Sequence, residues 1–449
     1  MDKTSNEKNN TCLVEEGALS LSQRIEQRLQ QLDCEGLARR SGFQKRKAIK
    51  IRPLELLKAL CLVPWHGGGS LTSIAIILGL LTGQVISKQG VSKRCSLAAV
   101  AFVRQTLYSL LQSMAQMPRL AQQGVFAAFG RVLIHDSTNL ALASRLAQAF
   151  PGSRNQSGKT FASLKIQTIY DLLTESFLHF QLDLFTRNDQ CAAPDILKVA
   201  RAGDLILRDL GYFVLSCFQK MNQRGIFFLS RLRYGTALFT QDGKQLFPLL
   251  SQLRCYGTLD IQLLLGANEK LPVRLVAVPL PPDVAAARRR KARQNRDRRC
   301  HPSQEQLALL DWEIFITNVP PSRWKTSTVA QVYGLRWRIE IIFKTWKSHF
   351  GLPHLPAGSP AQVQLLILAR LIFLTLFQTA LFLPLFLSST HLISLLKVAR
   401  FLATNPLLLL PSLLNPTTQP FLLKLIHRHC TYEKRKTRLN YPQTLQALG

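Results

Sequence analysis

The segment RVLIHD (131–136) and the stretches that follow it decide the fold of this chain. RVLIHD is a short apolar run that closes on an acid, which predicts a buried strand with Asp136 at its end. Two further strands, FASLKIQTIYDLL (161–173) and ESFLHFQLDLF (175–185), are predicted on either side of a turn near Thr174. The region therefore begins with three strands in succession.

Helix and strand alternate after this point. APDILKVARA (193–202) predicts a helix, and GDLILRDLGYF (203–213) predicts a strand with Asp209 at its end. A helix through Met221 and a strand in GIFFLSRL (225–232) follow. Three consecutive strands and then an alternation indicate an α/β fold, with a mixed sheet covered by helices. This is the order of a ribonuclease-H-like core.

The composition shows a globular and strongly basic chain. Its 449 residues include 57 Lys and Arg against 26 Asp and Glu, a formal charge of +31, and 47% of them are apolar. The apolar content is too high for a disordered chain. A positive field of this size attracts polyanions, so nucleic acid is the first partner to expect and an anionic membrane surface the second.

The cysteines and the N-terminus both indicate a reducing compartment. Nine cysteines are scattered along the chain without a CxxC pair, which is typical of free thiols rather than of a disulfide framework. The first residues, MDKTSNEKNNTCLVEEG, hold no apolar segment, so we expect no secretory signal. Residues 1–20 are predicted to be disordered. We expect a cytoplasmic, nucleoid-associated protein.

Residues 21–125 are predicted to form a helical DNA-binding domain. LSQRIEQRLQQL is amphipathic, and Pro53 suits the first turn of a helix. Two short helices separated by Gly83 resemble a helix-turn-helix. The second of them carries the basic side chains Lys88, Lys93 and Arg94. An ordinary helical bundle with a solvated basic face is the alternative.

The rest of the chain divides around one insertion. The ribonuclease-H-like core is predicted to occupy 126–232 and 312–385, with a β-rich insertion at 233–311 and a helical, basic C-terminal region at 386–449. The insertion ends in a basic arm, RRRKARQNRDRR (288–299), which predicts sequence-independent contacts with DNA. The arm residues assigned to DNA binding are Arg288, Arg289, Arg290 and Lys291.

An apolar run at 363–387 is long enough to span a membrane. A span would place Arg370 and Gln378 in the hydrocarbon, which is costly. We therefore expect a buried helix in a large core, with a membrane span as the alternative.

Asp136 and Asp209 are candidate metal ligands. Each follows an apolar run that would anchor it in the sheet while its carboxylate emerges at the carboxyl edge. Adjacent strands are less than about 5 Å apart, so two such carboxylates can share a cation. Mg²⁺ prefers oxygen ligands and leaves room for water and phosphate oxygens, and phosphodiester transfer suits a pair of such ions. An Asp at a strand end is otherwise most often a cap or turn residue.

The segment YGLRWRIEIIFKTWK (333–347) supplies a third acid. Tyr333, Arg336, Glu340 and Lys347 are spaced by three, four and seven residues, which in one helix places them on one face. An acid, two cations and a phenol on one stripe can join a metal ligand to groups that grip phosphate. An exposed helix with Arg336 and Glu340 as an ion pair is the alternative.

This segment resembles the Y-R-E-K motif of bacterial insertion-sequence transposases of the IS-four type. The resemblance extends to HDST around Asp136, to GDLILRDLGYF around Asp209 and to the basic tail CTYEKRKTRLNY. It implies a DDE transposase on a ribonuclease-H-like core, in which Asp136, Asp209 and Glu340 bind two Mg²⁺ ions, with Mn²⁺ as a substitute. It also implies that Tyr333, Arg336 and Lys347 contact DNA phosphates.

The resemblance implies partners and one further role. Its partners would be the double-stranded DNA of the transposon ends, the target DNA and a second copy in a synaptic homodimer. Trp312 holds the place of a tryptophan that stacks on a base flipped out during hairpin formation, although a tryptophan at the start of a strand is more often a core residue. A catalytically inactive DNA-binding protein derived from a transposase remains the alternative function.

Other motifs are interpreted as structural. GSRNQSGKT (152–160) resembles a phosphate-binding loop, but the residues before it do not predict a strand. His427, His429 and Cys430 lack a second pair of ligands nearby, so a basic tail is favoured over a metal site. His135 is interpreted as a packed residue beside Asp136.

Overall fold

The structure is a computed structural model that describes residues 21–46, 50–65, 69–114, 119, 124–155, 157–294, 301–388, 392–405, 419–433 and 439–449. The predicted disordered segment 1–20 lies outside the described residues, as does the end of the basic arm at 295–299. The N-terminal region is helical, as predicted. Its helices are α1 (Leu21–Gln30), α2 (Cys34–Arg40), α3 (Pro53–Leu62), α4 (Leu71–Thr82), α5 (Lys88–Arg94) and α6 (Leu97–Ser113).

A short turn separates α4 from α5, the two helices of the predicted helix-turn-helix. Gly83 ends α4 in the left-handed region at a φ of 68°, which a glycine adopts without a steric penalty. Ser87 then caps α5 by accepting a hydrogen bond from the N–H of Gly90. One glycine therefore ends the first helix and one serine starts the second.

The described residues form one sheet of ten strands. Its strands are β1 (Val132–Leu142), β2 (Pro151–Arg154), β3 (Thr160–Asp171), β4 (Ser176–Leu184), β5 (Leu205–Arg208), β6 (Phe227–Arg231), β7 (Leu238–Phe239), β8 (Leu259–Leu265), β9 (Leu271–Pro279) and β10 (Trp312–Thr317). Helices α7 (Asp189–Ala192) and α8 (Leu215–Gln223) lie between the strands of the first half, with a 3-10 turn at Ala193–Lys198 after α7.

The central strands have the order predicted from the sequence. β3 pairs antiparallel with both β4 and β1, whereas β1, β5 and β6 are parallel. The resulting order β4-β3-β1-β5-β6 is that of a ribonuclease-H-like sheet, and it confirms the α/β fold class. Apolar side chains fill both faces of these strands, and helices from the two halves of the chain cover them.

The prediction that β1 ends at Asp136 was wrong. β1 runs on to Leu142 because its antiparallel partner β3 continues beside it, from the pair Leu133–Asp171 to the pair Leu142–Ala162. Only the parallel partner β5 stops at this level, since its last pair joins Arg208 to His135. Asp136 therefore lies in the middle of a long strand but at the carboxyl end of the parallel part of the sheet.

Residues 233–311 extend the core sheet. β9 pairs antiparallel with β10 and with β8, so their strands continue the sheet on the far side of β6. This region also contains the helices α9 (Leu249–Tyr256), α10 (Pro282–Arg293) and α11 (Gln304–Leu309). The first half of the basic arm, residues 288–293, lies on α10, since Pro282 opens this helix and an alanine- and arginine-rich sequence continues it.

The single helix expected for the Y-R-E-K segment is interrupted. The structure has α12 (Thr326–Gly334), a 3-10 turn at Leu335–Trp337 and α13 (Arg338–His349). A 3-10 turn advances the chain by three residues per turn rather than 3.6, which alters which side chains share a face. The interruption falls inside the Y-R-E-K segment.

The apolar run at 363–387 is a core helix. It consists of α14 (Pro360–Leu376), a π-helical segment at Phe377–Phe382 and α15 (Leu383–Ser388). Although this helix is long and apolar enough to cross a membrane, 94% of its most apolar window is buried within the protein. Arg370 is buried and donates to the carbonyls of Leu352 and His354, at 3.0 and 2.7 Å. The polar residues of the run thus have partners in the core.

The C-terminal region consists of short helices packed against this core. They are α16 (Leu395–Thr404), α17 (Gln419–His429) and α18 (Tyr441–Leu448). α18 begins with a capping box in which Asn440 and Gln443 exchange hydrogen bonds with each other's backbone. Leu445 and Leu448 bury one face of α18.

Candidate active site

Asp136 and Asp209 occupy equivalent positions on two neighbouring parallel strands. The register pairs His135 with Arg208, so the next residue on each strand is one of the two acids. Asp209 follows the end of β5 and caps the 3-10 turn Leu210–Tyr212, where its Oδ2 accepts the N–H of Gly211 at 3.3 Å. The sheet therefore brings the two carboxylates to one edge, as predicted.

Glu340 reaches the same edge from the first turn of α13. The guanidinium of Arg336 joins all three acids, with Nη1 at 3.6 Å from Asp136 Oδ2 and Nη2 at 3.5 Å from Asp209 Oδ1. Nη2 also donates to Glu340 Oε1 at 3.0 Å. Arg336 is buried, with 6% of its side chain exposed, whereas about two fifths of the Glu340 carboxylate side chain is open to solvent.

The acids of this cluster and Arg336 shift each other's pKa values. Burial raises the pKa of Asp136 to about 7, while the N–H of Ser137 and the charge of Arg336 act against the rise and Asp209 adds to it. Burial alone would lower the pKa of Arg336, but Tyr333 and the three acids raise it above its ordinary value. Burial is therefore the main influence on the pKa of Asp136, and a further cation nearby would favour the ionised form.

The donor set suits a hard divalent ion. Carboxylate oxygens are the protein ligands that Mg²⁺ and Mn²⁺ prefer, and the guanidinium of Arg336 already occupies the position of a cation between them. Within the described residues, no three acid, His or Cys side chains are placed to hold a metal ion as they stand. The acids are turned toward Arg336, whose guanidinium lies between them.

Tyr333 and Lys347 are placed differently from Arg336 and Glu340. The ring of Tyr333 is buried against Phe315, with centroids 5.2 Å apart, and between the guanidinium groups of Arg231 and Arg336 at 5.3 and 5.7 Å. Lys347 is half-buried seven residues beyond Glu340, about 10 Å along α13. The structure gathers Arg336 and Glu340 with the two aspartates, and it places Tyr333 in the core beside them.

A buried polar group behind the site escaped the sequence analysis. Arg208 is fully buried and donates to the carbonyl of Ala193 at 2.6 Å, and its Nη2 lies 3.3 Å from Nδ1 of His135. Tyr212 packs on His135 and donates to Gln167 at 2.6 Å. An arginine inside the apolar run LILRD was the available signal, because a buried charge needs partners. These contacts hold the strand ends that carry the aspartates.

A fourth acid, Asp189, lies beside the site. Its Oδ1 accepts hydrogen bonds from Ser137 at 3.0 Å and from Lys165 at 2.9 Å. Ser137 directly follows Asp136, so this bond ties β1 to α7 beside the candidate metal ligand. The sequence analysis did not single out Asp189, because nothing in its local pattern differs from an ordinary helix start.

Trp312 opens β10 and is partly buried. Its indole N–H donates to the carbonyl of Gly257 at 2.6 Å. Its ring packs against the buried apolar cluster that includes Leu259 and Leu275. The neighbouring Glu313 accepts from Arg231 at 3.0 Å and from Arg288 at 2.6 Å. This acid therefore connects the basic helix α10 with the arginine that stacks on Tyr333.

The basic residues assigned to DNA binding fall into two groups. Arg288 and Arg289 are half-buried and paired with Glu313 and Asp311, whereas Arg290 and Lys291 are exposed. On α5, Lys88 and Lys93 are exposed, and Arg94 lies over the ring of Phe43 at 5.6 Å. The exposed apolar side chains Leu80 and Val85 flank these cations.

The motifs interpreted as structural gave no site. The segment 152–160 contains β2 and the turn into β3, and residue 156 lies outside the described residues. Cys430 is buried at the end of α17, and among the described residues it forms no metal-binding group with His427 and His429. His135 is buried, as expected.

A ribonuclease-H-like sheet with two aspartates at its carboxyl edge and a glutamate on a following helix defines the DDE class of phosphoryl-transfer proteins. Comparison with known proteins agrees. The family model described as "Transposase DDE domain" matches residues 127–376, more than half of the chain. The chain belongs to this DDE transposase family.

Individual relatives support the assignment. The transposase for insertion sequence element IS231C of Bacillus thuringiensis subsp. berliner is 31% identical over 347 residues, which cover 71% of each chain. The transposase for insertion sequence element IS1151 of Clostridium perfringens is 25% identical over 70% of each chain. Among solved structures, a piggyBac transposase synaptic complex with hairpin DNA shares 10% identity at a TM-score of 0.43, over 90% of this chain and 83% of that one.

Proposed function

We propose that this chain is an active DNA transposase that excises an insertion sequence and joins it to target DNA. The observation that carries the proposal is the convergence of Asp136, Asp209 and Glu340 on one guanidinium, since three acids from three separate elements are gathered at one edge of the sheet. The reaction would be hydrolysis of a strand at the element end, followed by attack of the freed 3′-OH on target DNA.

The three acids would hold two Mg²⁺ ions, for which Mn²⁺ would substitute. Bound there, the ions would activate the attacking oxygen and stabilise the leaving oxygen. Arg336 would leave the acids and grip a phosphate of the DNA, because a guanidinium binds phosphate oxygens in the same bidentate way as carboxylates. Tyr333 packs beside Arg336 and would restrict the movement of the guanidinium group.

Binding to DNA would depend on the net positive charge of the chain and on the helices α5 and α10. The net charge of +31 favours association with any duplex, and the exposed cations of α5 and α10 offer contacts with phosphates. The terminal repeats of the element and the target DNA would be the ligands, and two copies of the chain would act together in the synaptic complex. A catalytically inactive DNA-binding derivative is not favoured, since the family and the relatives are transposases and the three acids are present in the sequence.

The proposal is tested with Asp136→Asn, Asp209→Asn and Glu340→Gln on DNA that carries the inverted repeats flanking the gene. Each amide keeps the shape of the side chain but loses the charge that a cation needs, so we expect cleavage to be abolished. Binding to the ends should remain, because it comes mainly from Lys and Arg neutralising phosphates. Mg²⁺-dependent cleavage by any of the variants would remove that residue from the site, and a wild-type protein that binds but never cleaves would support the inactive derivative.

A further inference from the structure

Glu175 is a buried carboxylate behind the catalytic helix. It lies in the turn between β3 and β4, where its φ of 51° is in the left-handed region that few residues other than glycine adopt. Its side chain is only 1% exposed and forms an ion pair with Arg338, which is 2% exposed. The two side chains meet through parallel bonds, from Nε at 2.9 Å and from Nη2 at 2.5 Å.

Two more side chains complete the shell of Glu175. Gln378, in the π-helical segment, donates to Oε2 at 3.1 Å, and the hydroxyl of Tyr441, at the start of α18, donates to Oε1 at 2.7 Å. The guanidinium of Arg338 also lies over the ring of Tyr441 at 4.5 Å. Four parts of the chain, separated by as many as 266 residues, thus meet at one carboxylate.

Such a cluster contributes little net stability to the fold. A buried ion pair loses about as much by desolvation as it gains by attraction, so a well-packed apolar group would serve the core as well. The strained backbone at Glu175 adds a further cost. What the cluster offers instead is a fixed position for Arg338, the ion-pair partner of the carboxylate on which these contacts meet.

That position matters because Arg338 lies between Arg336 and Glu340. Two residues along a helix turn by about 200°, so Arg338 and Glu340 point to opposite sides of α13. On one side the ion pairs of Arg336 and Glu340 hold the helix at the sheet edge, and on the other side Glu175 holds it through Arg338. A shift of Arg338 would move Glu340 relative to Asp136.

We propose that Glu175, supported by Gln378 and Tyr441, is a positioning residue for the cleavage reaction. Through Arg338 it sets the place of Glu340 relative to the two aspartates, and so the affinity of the site for its cation. The C-terminal helix α18 thereby becomes part of the support of the active site. This inference rests on the proposed function.

The test compares Glu175→Gln with a matched control, Asp204→Asn. Asp204 is also buried and also binds an arginine, Arg131, through two bonds of 3.1 and 2.5 Å, but it precedes β5 at the edge of the sheet opposite to Asp209. Both changes remove one buried charge from an arginine pair, so both should lower the thermal midpoint. The readouts are Mn²⁺ binding to the metal-free protein by calorimetry and the cleavage rate with saturating DNA, at a temperature below both midpoints.

We expect Glu175→Gln to weaken Mn²⁺ binding and to slow cleavage, each by about tenfold or more, as for other residues that orient a metal ligand. DNA affinity should stay within about twofold of the wild type, and Asp204→Asn should retain both metal affinity and rate. Equal losses in the two variants, or none in Glu175→Gln, would overturn the proposal.

A milder variant covers the case in which Glu175→Gln does not fold. Tyr441→Phe with Gln378→Leu removes two hydrogen bonds from Glu175 and leaves the ion pair in place. A reduced kcat with an unchanged KM for DNA supports positioning, whereas wild-type kcat and Mn²⁺ affinity refute it. A wild-type protein without metal-dependent cleavage would instead refute the proposed function, which separates the two failures.

Discussion

At the scale of single residues, Arg336 occupies the position that a catalytic cation would take. The motif predicts the presence of this arginine and its contact with Glu340, because both lie on one local stretch of chain. Its contacts with Asp136 and Asp209 depend on how α13 meets the sheet edge, which spacing along the sequence does not encode. The burial of Tyr333 against Phe315 is of the same kind, since the two rings come from different elements.

Replacement of Arg336 by Gln should destabilise the protein only when divalent ions are absent. The change leaves three neighbouring acids without a cation, which we expect to cost about 1–2 kcal/mol because two of the acids are partly solvated. Mg²⁺ should recover most of this loss, since a ligand that binds the folded state stabilises it. Thermal unfolding in EDTA and in Mg²⁺ measures both effects, with Arg254→Gln on the exposed face of α9 as the control. An unchanged midpoint in EDTA would show that the arginine does not neutralise the acids.

At the scale of secondary-structure elements, α10 and the start of β10 hold the residues whose predicted contacts with DNA can be tested. The sequence predicted a basic arm, and the structure shows that a helix presents two of its arginines to acids and the others to solvent. A helix of this composition is a local property, but which face meets Glu313 is set by strand pairing in the sheet. Trp312 begins β10 and directly precedes Glu313 along the strand.

The exposed cations of α10 should supply sequence-independent affinity. Arg290→Ala, Lys291→Ala and Arg293→Ala together should reduce the slope of log K against log salt by up to about three, if each contacts one phosphate. Arg288→Ala with Arg289→Ala should change the slope less, because Glu313 and Asp311 already neutralise these side chains. Binding titrations across salt concentrations measure the slope for the triple variant and for the double variant. An equal loss in both variants would mean that the ion pairs open on DNA, and no loss in either would exclude α10 from the interface.

The contacts of Trp312 favour a core role over the predicted stacking on a flipped base, and they lead to a specific expectation. Because the indole packs in the sheet and donates to Gly257, Trp312→Ala should lower stability by about 2 kcal/mol. First nicking and hairpin formation should then decline together at temperatures near the midpoint. Trp312→Phe keeps most of the packing and should restore nicking. A loss of hairpin formation alone, at an unchanged midpoint, would instead establish stacking on a flipped base, which is worth about 1–3 kcal/mol.

At the scale of the whole molecule, one sheet and one long buried helix organise the chain. The strands of 233–311 continue the sheet of the core, and the helix Pro360–Leu387 is buried against the N-terminal helices α3 and α6. Both features arise from pairing between segments far apart in sequence. The positive charge surrounds this core and accounts for the expected affinity for DNA.

The protein should fractionate as a DNA-bound and not as a membrane protein. The apolar helix Pro360–Leu387 has 94% of its most apolar window buried, so little apolar surface is left for lipid. Nuclease treatment or high salt should therefore release the protein from the pellet, because salt screens contacts with phosphates. Retention in the membrane fraction after both treatments, with extraction only by detergent, would contradict the buried helix.

Local chemistry was sufficient for much of this protein. The strand pattern of RVLIHD and its successors, the capped helices and the Y-R-E-K spacing are properties of neighbouring residues, and they led to the α/β class, the strand order and the family. The burial of 363–387 followed from the cost of placing Arg370 in lipid. Tertiary structure decided the rest, because strand pairing, the 3-10 turn at Leu335–Trp337 and the contacts of Arg336 and Glu175 join residues that are distant in sequence. Their free energy comes from packing and charge in three dimensions, which no local pattern contains.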